Sequence, residues 1–385
     1  MRKIAINSKG MSRVRAGHPW VFRSDLLSGS VDDGEAVHVV DQSGKPAGTA
    51  FYSAGSQIAL RFFDRRHVEA SPDYFRAKFQ KAVALRERLY PGAAAVRLCF
   101  GESDGIPALV VDRYGPVVVI QTLAPGPEML KDDIVSWCMD LTDVGAVVER
   151  NDPKVRSLER LPLITGTLRG DVPPELAITE GGCRLGVDVL CGQKTGAFLD
   201  QRDNRDLAAS RARGRVLDAF CYRGWFSLRA AVRAERVTAV DAADEAVAAV
   251  KEGALVLGLH NVDAVCANAF DYLRECDLRG ERFDMTILDP PAFAKNKAAL
   301  GAARRGYKEI NLRAIRLAEP GGTVFTFSCS YHMSEDDFLE TVASAASDAG
   351  RRVSVERRLS QSLDHPILLG FPESAYLKGL MLRVE

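Results

Sequence analysis

A thiol and a carboxylate each stand directly after a predicted strand. Cys329 follows the run Val-Phe-Thr-Phe-Ser, and Asp289 opens the turn Asp289-Pro290-Pro291. Cysteine is most often a buried apolar residue, but the two serines that flank Cys329 favour exposure to a cleft. The two prolines fix the backbone and push Asp289 into an extended conformation, so this turn is stiff. A thiolate can add to an electrophilic carbon, and a stiff loop with a carboxylate can hold a planar base beside it.

Three further strand ends carry side chains that suit an adenosine ligand. Asp218 precedes a turn with a single glycine, Gly224, and without the G-x-G-x-x-G pattern that cradles a pyrophosphate. A carboxylate there suits S-adenosylmethionine, which carries a sulfonium cation and no phosphate. Asp241 ends the second strand, where an acid can accept from both ribose hydroxyls. After the third strand, Asn268 can hydrogen-bond an adenine edge while Phe270 packs on the ring. Each acid alone is equally compatible with a turn or a helix cap.

The segment Leu190-Cys-Gly-Gln-Lys-Thr-Gly-Ala-Phe-Leu-Asp precedes this sheet and contains Gln193, Thr195 and Phe198. It superficially resembles a phosphate-binding loop, but the spacing G-x-x-x-x-G-K-[ST] is not met, which argues against ATP hydrolysis. We expect this segment to close over the cofactor.

The predicted site residues can come together only if their strands are parallel, because parallel strands have their carboxyl ends at one edge of the sheet. This predicts an α/β fold. From residue 181, strand and helix alternate, which predicts a doubly wound Rossmann-like domain over 181–385. Its predicted strands are 215–217, 236–240, 262–265, 283–288 and 323–327, and its helices include 225–233, 243–257 and 311–317. The last two strands, 352–358 and 376–384, have no helix between them and predict an antiparallel edge hairpin, which makes the sheet mixed and seven-stranded.

Two smaller domains are predicted ahead of this sheet. Residues 1–70 contain short β-rich segments separated by turn residues, a pattern typical of a small barrel. Residues 71–180 mix helices and strands and predict a central α+β domain. The predicted elements of this domain are helices at 74–90 and 128–140 and strands at 96–100, 108–112, 117–122 and 145–149.

Composition limits the class of protein. The chain has 385 residues, 46% hydrophobic and 26% charged, so it can bury several cores and is not globally disordered. Lys+Arg and Asp+Glu both number 51, which argues against coating nucleic acid by bulk charge, although residues 1–25 and 61–90 are locally basic. Neighbouring cysteines are at least 8 positions apart, so we expect no metal site. No membrane span or secretory signal is visible, and we expect a reducing cytoplasm.

The motifs together resemble the class I S-adenosylmethionine-dependent methyltransferases, and more narrowly the bacterial large-subunit (23S) rRNA cytosine-C5 methyltransferase I family. The likeness extends over nearly the whole chain. It rests on the strings Gly17-His-Pro-Trp-Val-Phe22, Gly192-Gln-Lys-Thr-Gly-Ala-Phe-Leu-Asp-Gln-Arg202, Arg305-Gly-Tyr-Lys-Glu-Ile-Asn311, Ser328-Cys329-Ser330, Asp364-His-Pro366 and Tyr376-Leu-Lys-Gly379. Two positions depart from the family: Asn268 stands where an acid is usual, and Ala292 where a lysine is frequent.

The resemblance implies an N-terminal PUA-like RNA-binding barrel, a small central α+β domain and a C-terminal catalytic domain. It implies S-adenosyl-L-methionine as cofactor and large-subunit rRNA as partner, without a membrane partner; a homodimer stays open. The implied product is 5-methylcytosine. The site residues expected from pattern and resemblance are, for catalysis, Cys329 and Asp289, and, for the cofactor, Asp218, Phe220, Tyr222, Gly224, Asp241, Asn268, Phe270, Gln193, Thr195 and Phe198.

In the implied chemistry, Cys329 adds to carbon 6 of a cytosine and makes carbon 5 nucleophilic, while Asp289 orients the N3/N4 edge. Cys221 is a rival thiol, but it lies in the first cofactor loop, where we expect adenosine to block it. The base must leave its stack, so a loop or an unfolded rRNA segment is the expected substrate. Three alternatives stay open: uracil-C5 methylation, exocyclic-N methylation of RNA or DNA, and a non-catalytic RNA-binding protein with a degenerate sheet.

Overall fold

A computed structural model of the chain describes residues 1–29, 31–294 and 296–385. The chain divides into two units. The first consists of Met1–Glu180, Val187–Asp200 and Leu363–Ser374, and the second of Gly181–Gly186, Gln201–Ser362 and Ala375–Glu385. The predicted boundaries at residues 70 and 180 stay predictions.

The first unit begins with a six-stranded sheet of order β2-β6-β5-β4-β1-β3. Its elements are β1 (Lys3–Ile6), α1 (Ser8–Arg15), β2 (Trp20–Phe22), β3 (Leu26–Ser28), β4 (Ala36–Val40), β5 (Pro46–Tyr52) and β6 (Ile58–Asp64). Only strands were expected here, so α1 corrects the prediction. The side chain of Asn7 accepts from the amide of Gly10 and caps this helix. Ile4, Val37 and Leu60 are fully buried and belong to the core of this sheet.

A second sheet of the first unit has the order β11-β10-β9-β8-β7. Its elements are α2 (Pro72–Leu89), β7 (Ala95–Phe100), β8 (Leu109–Tyr114), β9 (Val117–Thr122), α3 (Pro125–Met129), α4 (Lys131–Met139), β10 (Ala146–Asn151), α5 (Val155–Leu158) and β11 (Ile164–Gly170), followed by β12 (Ala177–Glu180). Strand β11 was not predicted, because none of its residues is buried and it lacks an apolar face. Phe51 and Phe63 pack in one cluster with Phe75 and Phe79, so one core spans residue 70.

The second unit contains the predicted seven-stranded mixed sheet, with the order β16-β15-β14-β17-β18-β20-β19. Its elements are β13 (Cys183–Gly186), α6 (Arg202–Arg211), β14 (Arg215–Ala219), α7 (Trp225–Ala231), β15 (Arg236–Asp241), α8 (Asp244–Val256), β16 (Val262–Cys266), α9 (Ala269–Leu278), β17 (Phe283–Leu288), α10 (Leu300–Leu317), β18 (Ala318–Ser328), α11 (Glu335–Ala349), β19 (Val353–Leu359) and β20 (Lys378–Val384). Short 3-10 turns occupy Arg23–Asp25, Gly101–Asp104, Leu199–Gln201, Lys297–Ala299 and Pro372–Ser374.

Strands β14 to β18 are parallel, and β20 runs antiparallel between β18 and β19, as the edge hairpin requires. The fold class expected from the sequence is therefore confirmed. Leu217, Leu288 and Val324 are fully buried in the main core, which explains the apolar runs of these strands. Helix α10 begins at Leu300 and not at residue 311; Gly301 and Gly306 weaken the helical pattern of its first half. Because the strands are parallel, the ends of β14, β15, β17 and β18 meet at one edge.

Candidate active site

The loop after β14 is folded into an uncommon backbone conformation. Phe220, Tyr222 and Gly224 have φ values of 66°, 48° and 75°, all in the left-handed region. Side chains other than glycine rarely adopt this region, and such strain collects at functional sites. A Cβ atom at position 224 would lie 2.6 Å from Val250 Cγ2, so only glycine lets the loop approach α8 this closely. The predicted cofactor loop therefore has a strained backbone conformation.

Asp218 is a buried acid at the centre of this edge, with 1% of its surface exposed. Its Oδ2 accepts from the Ser227 hydroxyl, whereas Oδ1 has no hydrogen-bond partner among the residues that the structure describes. Burial raises its pKa to about 7. The negative charges of Asp289 and Asp241 also raise this pKa, whereas the hydrogen bond from Ser227 lowers it. Three carboxylates therefore converge on one edge, an arrangement that fits the sulfonium and ammonium cations of S-adenosylmethionine.

Asp241 is half-buried and holds the strained loop. Its Oδ2 accepts from the backbone amide of Tyr222 at 2.8 Å, and its Oδ1 accepts from that of Ala243 at 3.0 Å. Each carboxylate oxygen can accept a second hydrogen bond. The residue can therefore shape the loop and still accept from ribose hydroxyls, a role that stays a prediction.

Asn268 caps helix α9. Its side-chain oxygen accepts from the amides of Phe270 at 2.9 Å and Asp271 at 3.5 Å. The predicted bond from an adenine amino group to this oxygen would have to share it with the helix cap. Phe270 contacts the rings of Phe220 and Phe293, with centroid distances of 5.9 and 5.6 Å. An aromatic wall thus borders the same edge.

Asp289 and Cys329 directly follow β17 and β18, as predicted, and both are half-buried. The Sγ atom of Cys329 lies 3.9 Å from the carbonyl oxygen of Pro290, which places the thiol beside the Asp-Pro-Pro turn. The flanking serines, Ser328 and Ser330, are fully buried and not exposed to a cleft. They are structural: the Ser330 hydroxyl accepts from the amide of Ala294 at 3.2 Å.

Cys221 does not share the environment of Cys329. It is buried against Ala239 and Val250, and its thiol donates to the carbonyl oxygen of Tyr222 at 3.6 Å. Burial raises its pKa, and the negative charges of Asp218 and Asp241 raise it further. A thiol in such surroundings stays protonated and is a poor nucleophile. This gives a reason, independent of any bound adenosine, to prefer Cys329.

Gln193, Thr195 and Phe198 lie in the first unit, whereas the other predicted site residues lie in the second. The Thr195 hydroxyl is buried; it donates to Asp112 at 2.6 Å and is 2.9 Å from the hydroxyl of Tyr114. This threonine side chain therefore joins a buried polar network. Gln193 is exposed, and the Phe198 ring lies 4.5 Å from the Lys194 ammonium. Contact of these three residues with the cofactor stays a prediction.

Sequence reasoning missed two polar residues next to Cys329. Tyr307 is fully buried, and its hydroxyl lies 2.9 Å from that of Ser330. The ammonium group of Lys378 donates to the carbonyl oxygen of Ser330 at 2.8 Å. Both residues belong to strings that carried the family resemblance, so the signal was present without a role attached.

The basic cluster at the N-terminus divides into two kinds of residue. Arg13 pairs with buried Asp25 at 3.1 Å, and Arg23 donates to the hydroxyl of Tyr52 at 3.1 Å, so both serve the sheet itself. The cationic side chains exposed to solvent are those of Arg2, Lys3, Lys9 and Arg15.

Neither a membrane span nor a metal centre occurs in the described ranges. Within 1–29, 31–294 and 296–385, no helix combines the length and the apolar character needed to cross a membrane. The same residues include no group of three or more His, Cys, Asp or Glu side chains arranged to hold a metal ion.

Known proteins match this chain along most of its length. Residues 4–65 match the PUA-like domain, and residues 164–383 match the S-adenosylmethionine-dependent methyltransferase family. The "Ribosomal RNA large subunit methyltransferase I" of Shewanella amazonensis is 43% identical over 378 residues, covering 95% of each chain. The protein of the same name from Tolumonas auensis is 41% identical, again covering 95% of each chain.

A solved methyltransferase with bound SAH covers the whole chain with a TM-score of 0.86 at 21% identity, which establishes the likeness of fold. A second, an S-adenosylmethionine-dependent methyltransferase from Streptococcus mutans, has a TM-score of 0.84 at 21% identity. The family match, the converging carboxylates and the strained loop after β14 agree on S-adenosylmethionine as the cofactor. This chain therefore belongs to the S-adenosylmethionine-dependent methyltransferases and, within them, to the ribosomal RNA large subunit methyltransferase I family.

Proposed function

We propose that this protein methylates carbon 5 of a cytosine in large-subunit rRNA, with Cys329 as the covalent nucleophile. The observation that carries the proposal is the position of Cys329 Sγ, 3.9 Å from the Pro290 carbonyl oxygen and at the sheet edge that holds the acidic site. The RNA class comes from the names of the curated relatives and from the PUA-like domain. When bound, S-adenosylmethionine supplies an electrophilic methyl group.

The residues of the chain provide the remaining chemistry. The Cys329 thiolate forms a bond to carbon 6, and the electron pair of the C5–C6 double bond moves towards carbon 5, which then takes the methyl group. The C5 proton leaves to a base or to water, and the electron pair of the S–C6 bond returns to sulfur. Asp289, fixed by two prolines, accepts from the exocyclic amino group of the cytosine and orients the ring.

The cofactor residues have separate roles in this proposal. Asp218 faces the cationic end of the cofactor with its unpartnered Oδ1. Asp241 accepts from the ribose, and Phe220 and Phe270 border the adenine.

RNA that contains 5-fluorocytosine tests the proposal, because fluorine cannot leave carbon 5 as a proton does. With S-adenosylmethionine present, we expect a covalent protein–RNA adduct, mapped by peptide mass spectrometry to Cys329. An adduct on Cys221 would contradict the assignment of the nucleophile. Mass analysis of nucleosides from unmodified rRNA should give 5-methylcytosine; 5-methyluridine or an N-methylated base would overturn the choice of cytosine carbon 5.

A further inference from the structure

Lys378 is the first residue of β20 and lies opposite Ser328, the residue before Cys329, in the antiparallel ladder. Its side chain is half-buried. The ammonium group donates to the carbonyl oxygens of Ser330 at 2.8 Å and Tyr376 at 2.9 Å. One of these acceptors follows Cys329 directly in the chain. The two hydrogen bonds therefore hold a positive charge beside the segment that carries the thiol.

No carboxylate forms an ion pair with this ammonium group in the part of the chain that the structure describes. Carbonyl oxygens compensate a buried cation only in part, so an anion nearby is favoured. Burial lowers the pKa of Lys378, and a negative charge on Cys329 raises it. When Cys329 is ionised, its thiolate is therefore an anion that interacts with this cation.

The surroundings of Cys329 disfavour a thiolate that has no counter-charge. Asp289 lies one residue from Pro290, whose carbonyl oxygen is 3.9 Å from Sγ, and a carboxylate there disfavours a thiolate. Tyr307, from α10, is a second titratable group close to Cys329, and burial keeps its pKa raised. On the neighbouring strand β19, Arg358 is paired with Glu335 at 2.6 Å.

We propose that the ammonium group of Lys378, fixed by the carbonyls of Ser330 and Tyr376, is the counter-charge that keeps Cys329 as a thiolate. Lys378 is then a positioning residue that acts through the thiol. The inference rests on the proposed function only in so far as Cys329 is the nucleophile; the electrostatic pairing itself can be measured without RNA.

The test is the pH dependence of Cys329 alkylation by iodoacetamide in the full-length protein, quantified by peptide mass spectrometry. Lys378→Gln keeps donor groups for the two carbonyls but removes the charge. We expect its alkylation midpoint to move up by at least about one pH unit, with roughly tenfold slower reaction at neutral pH. Lys378→Arg, which retains the charge, should bring the midpoint back towards that of the wild type. An unchanged midpoint in Lys378→Gln overturns the proposal.

Three controls make the result specific. Lys251→Met, at an exposed position on α8, should leave the midpoint of Cys329 unchanged. The exposed thiol of Cys266 should alkylate alike in the wild type and in the two Lys378 variants. If Lys378→Gln does not fold, the wild type decides alone: a midpoint for Cys329 below that of the same cysteine in concentrated urea supports the pairing, and an equal or higher midpoint overturns it.

The adduct experiment separates this inference from the proposed function. A shifted midpoint without any adduct on Cys329 supports the Lys378–Cys329 pairing and rejects Cys329 as the nucleophile. An adduct on Cys329 with an unchanged midpoint keeps the nucleophile and rejects the role of Lys378.

Discussion

The carboxylate of Asp241 and the backbone amide of Tyr222 are joined by a hydrogen bond of 2.8 Å. This bond ties the end of β15 to the strained loop after β14, where Tyr222 has a φ of 48°. A left-handed conformation at such a residue costs on the order of 1–3 kcal/mol and persists only where neighbours enforce it. The acid expected to bind ribose is therefore also the residue that shapes the cofactor loop.

Replacing Asp241 should weaken the binding of S-adenosylmethionine. Asp241→Ala removes the acceptor for two ribose hydroxyls, at about 1.5–3 kcal/mol each, and releases the loop. We expect the dissociation constant, measured by calorimetry, to rise at least about a hundredfold. Asp263→Ala, which removes a partly exposed acid paired with Arg236 on the same sheet, is the matched control and should leave the affinity unchanged. Unchanged affinity in Asp241→Ala would refute the ribose assignment.

Asp218 should make the ligand-free protein less stable at neutral and alkaline pH. Its pKa is about 7 in the folded chain against an ordinary value of 3.8, so the folded state binds this proton more tightly than the unfolded state. Its contribution to stability is therefore fully present below about pH 4 and is lost as the pH rises through about 7.

Asp218→Asn mimics the protonated acid at every pH. Without cofactor, we expect it to unfold at higher denaturant than the wild type at pH 8, by on the order of 1–3 kcal/mol, and alike at pH 4. The same variant should lose affinity for the cationic cofactor. Equal stability of the two proteins at pH 8 would show that the folded protein does not disfavour the ionised form of Asp218.

Much of this site could be predicted because parallel sheets obey a simple rule. Asp218, Asp241, Asp289 and Cys329 each stand at the carboxyl end of an apolar run, and the structure brings the three acids together at one edge. The positions of side chains at strand ends depend on the local apolar pattern and on the strand order, and both can be predicted from one sequence.

Features that depend on long-range burial could not be predicted in this way. The hydroxyl of Thr195 donates to Asp112, which forms a buried ion pair with Arg97 at 2.7 Å. No local sequence pattern predicts either interaction. Helix α1 was missed because it is short and mostly polar, with only Met11 and Val14 as large apolar residues, and because its cap, Asn7, is as common in turns. Lys378 was noticed only as part of a string, because its partners are backbone carbonyls.

Exposed cations of the N-terminal sheet should carry part of the affinity for rRNA. Lys9 and Arg15 are exposed on α1, so we expect Lys9→Ala/Arg15→Ala to weaken binding and to lower the slope of log affinity against log salt by up to about two. Arg383→Ala, at an exposed position on β20, is the matched control. A salt slope equal to that of the wild type would exclude α1 from the RNA interface.

Point variants test this surface more specifically than deletion of residues 1–70, although the sequence alone predicts a domain boundary at residue 70. Phe51 and Phe63 share a core with Phe75 and Phe79, so that deletion would expose apolar surface beyond the sheet. Arg13→Ala offers a contrast within the cluster. Because Arg13 pairs with buried Asp25, we expect this variant to lower thermal stability more than it lowers RNA affinity.

The two candidate thiols should separate cleanly in single-turnover methylation of rRNA. Cys329→Ala should keep the fold and the affinity for S-adenosylmethionine, because Cys329 is only half-buried and lies beside the base-binding turn. Its rate of methyl transfer should fall by at least about a thousandfold, since the proposed mechanism needs the Cys329 thiolate to make carbon 5 nucleophilic. Cys221→Ala should lose some stability, because Cys221 is buried, but keep methylation within about tenfold of the wild type.

Cys266→Ala, which removes an exposed thiol, controls for general effects of losing a cysteine. Near-normal methylation by Cys329→Ala would show that no covalent adduct at this residue is needed, and would favour exocyclic-N methylation, which requires no thiol.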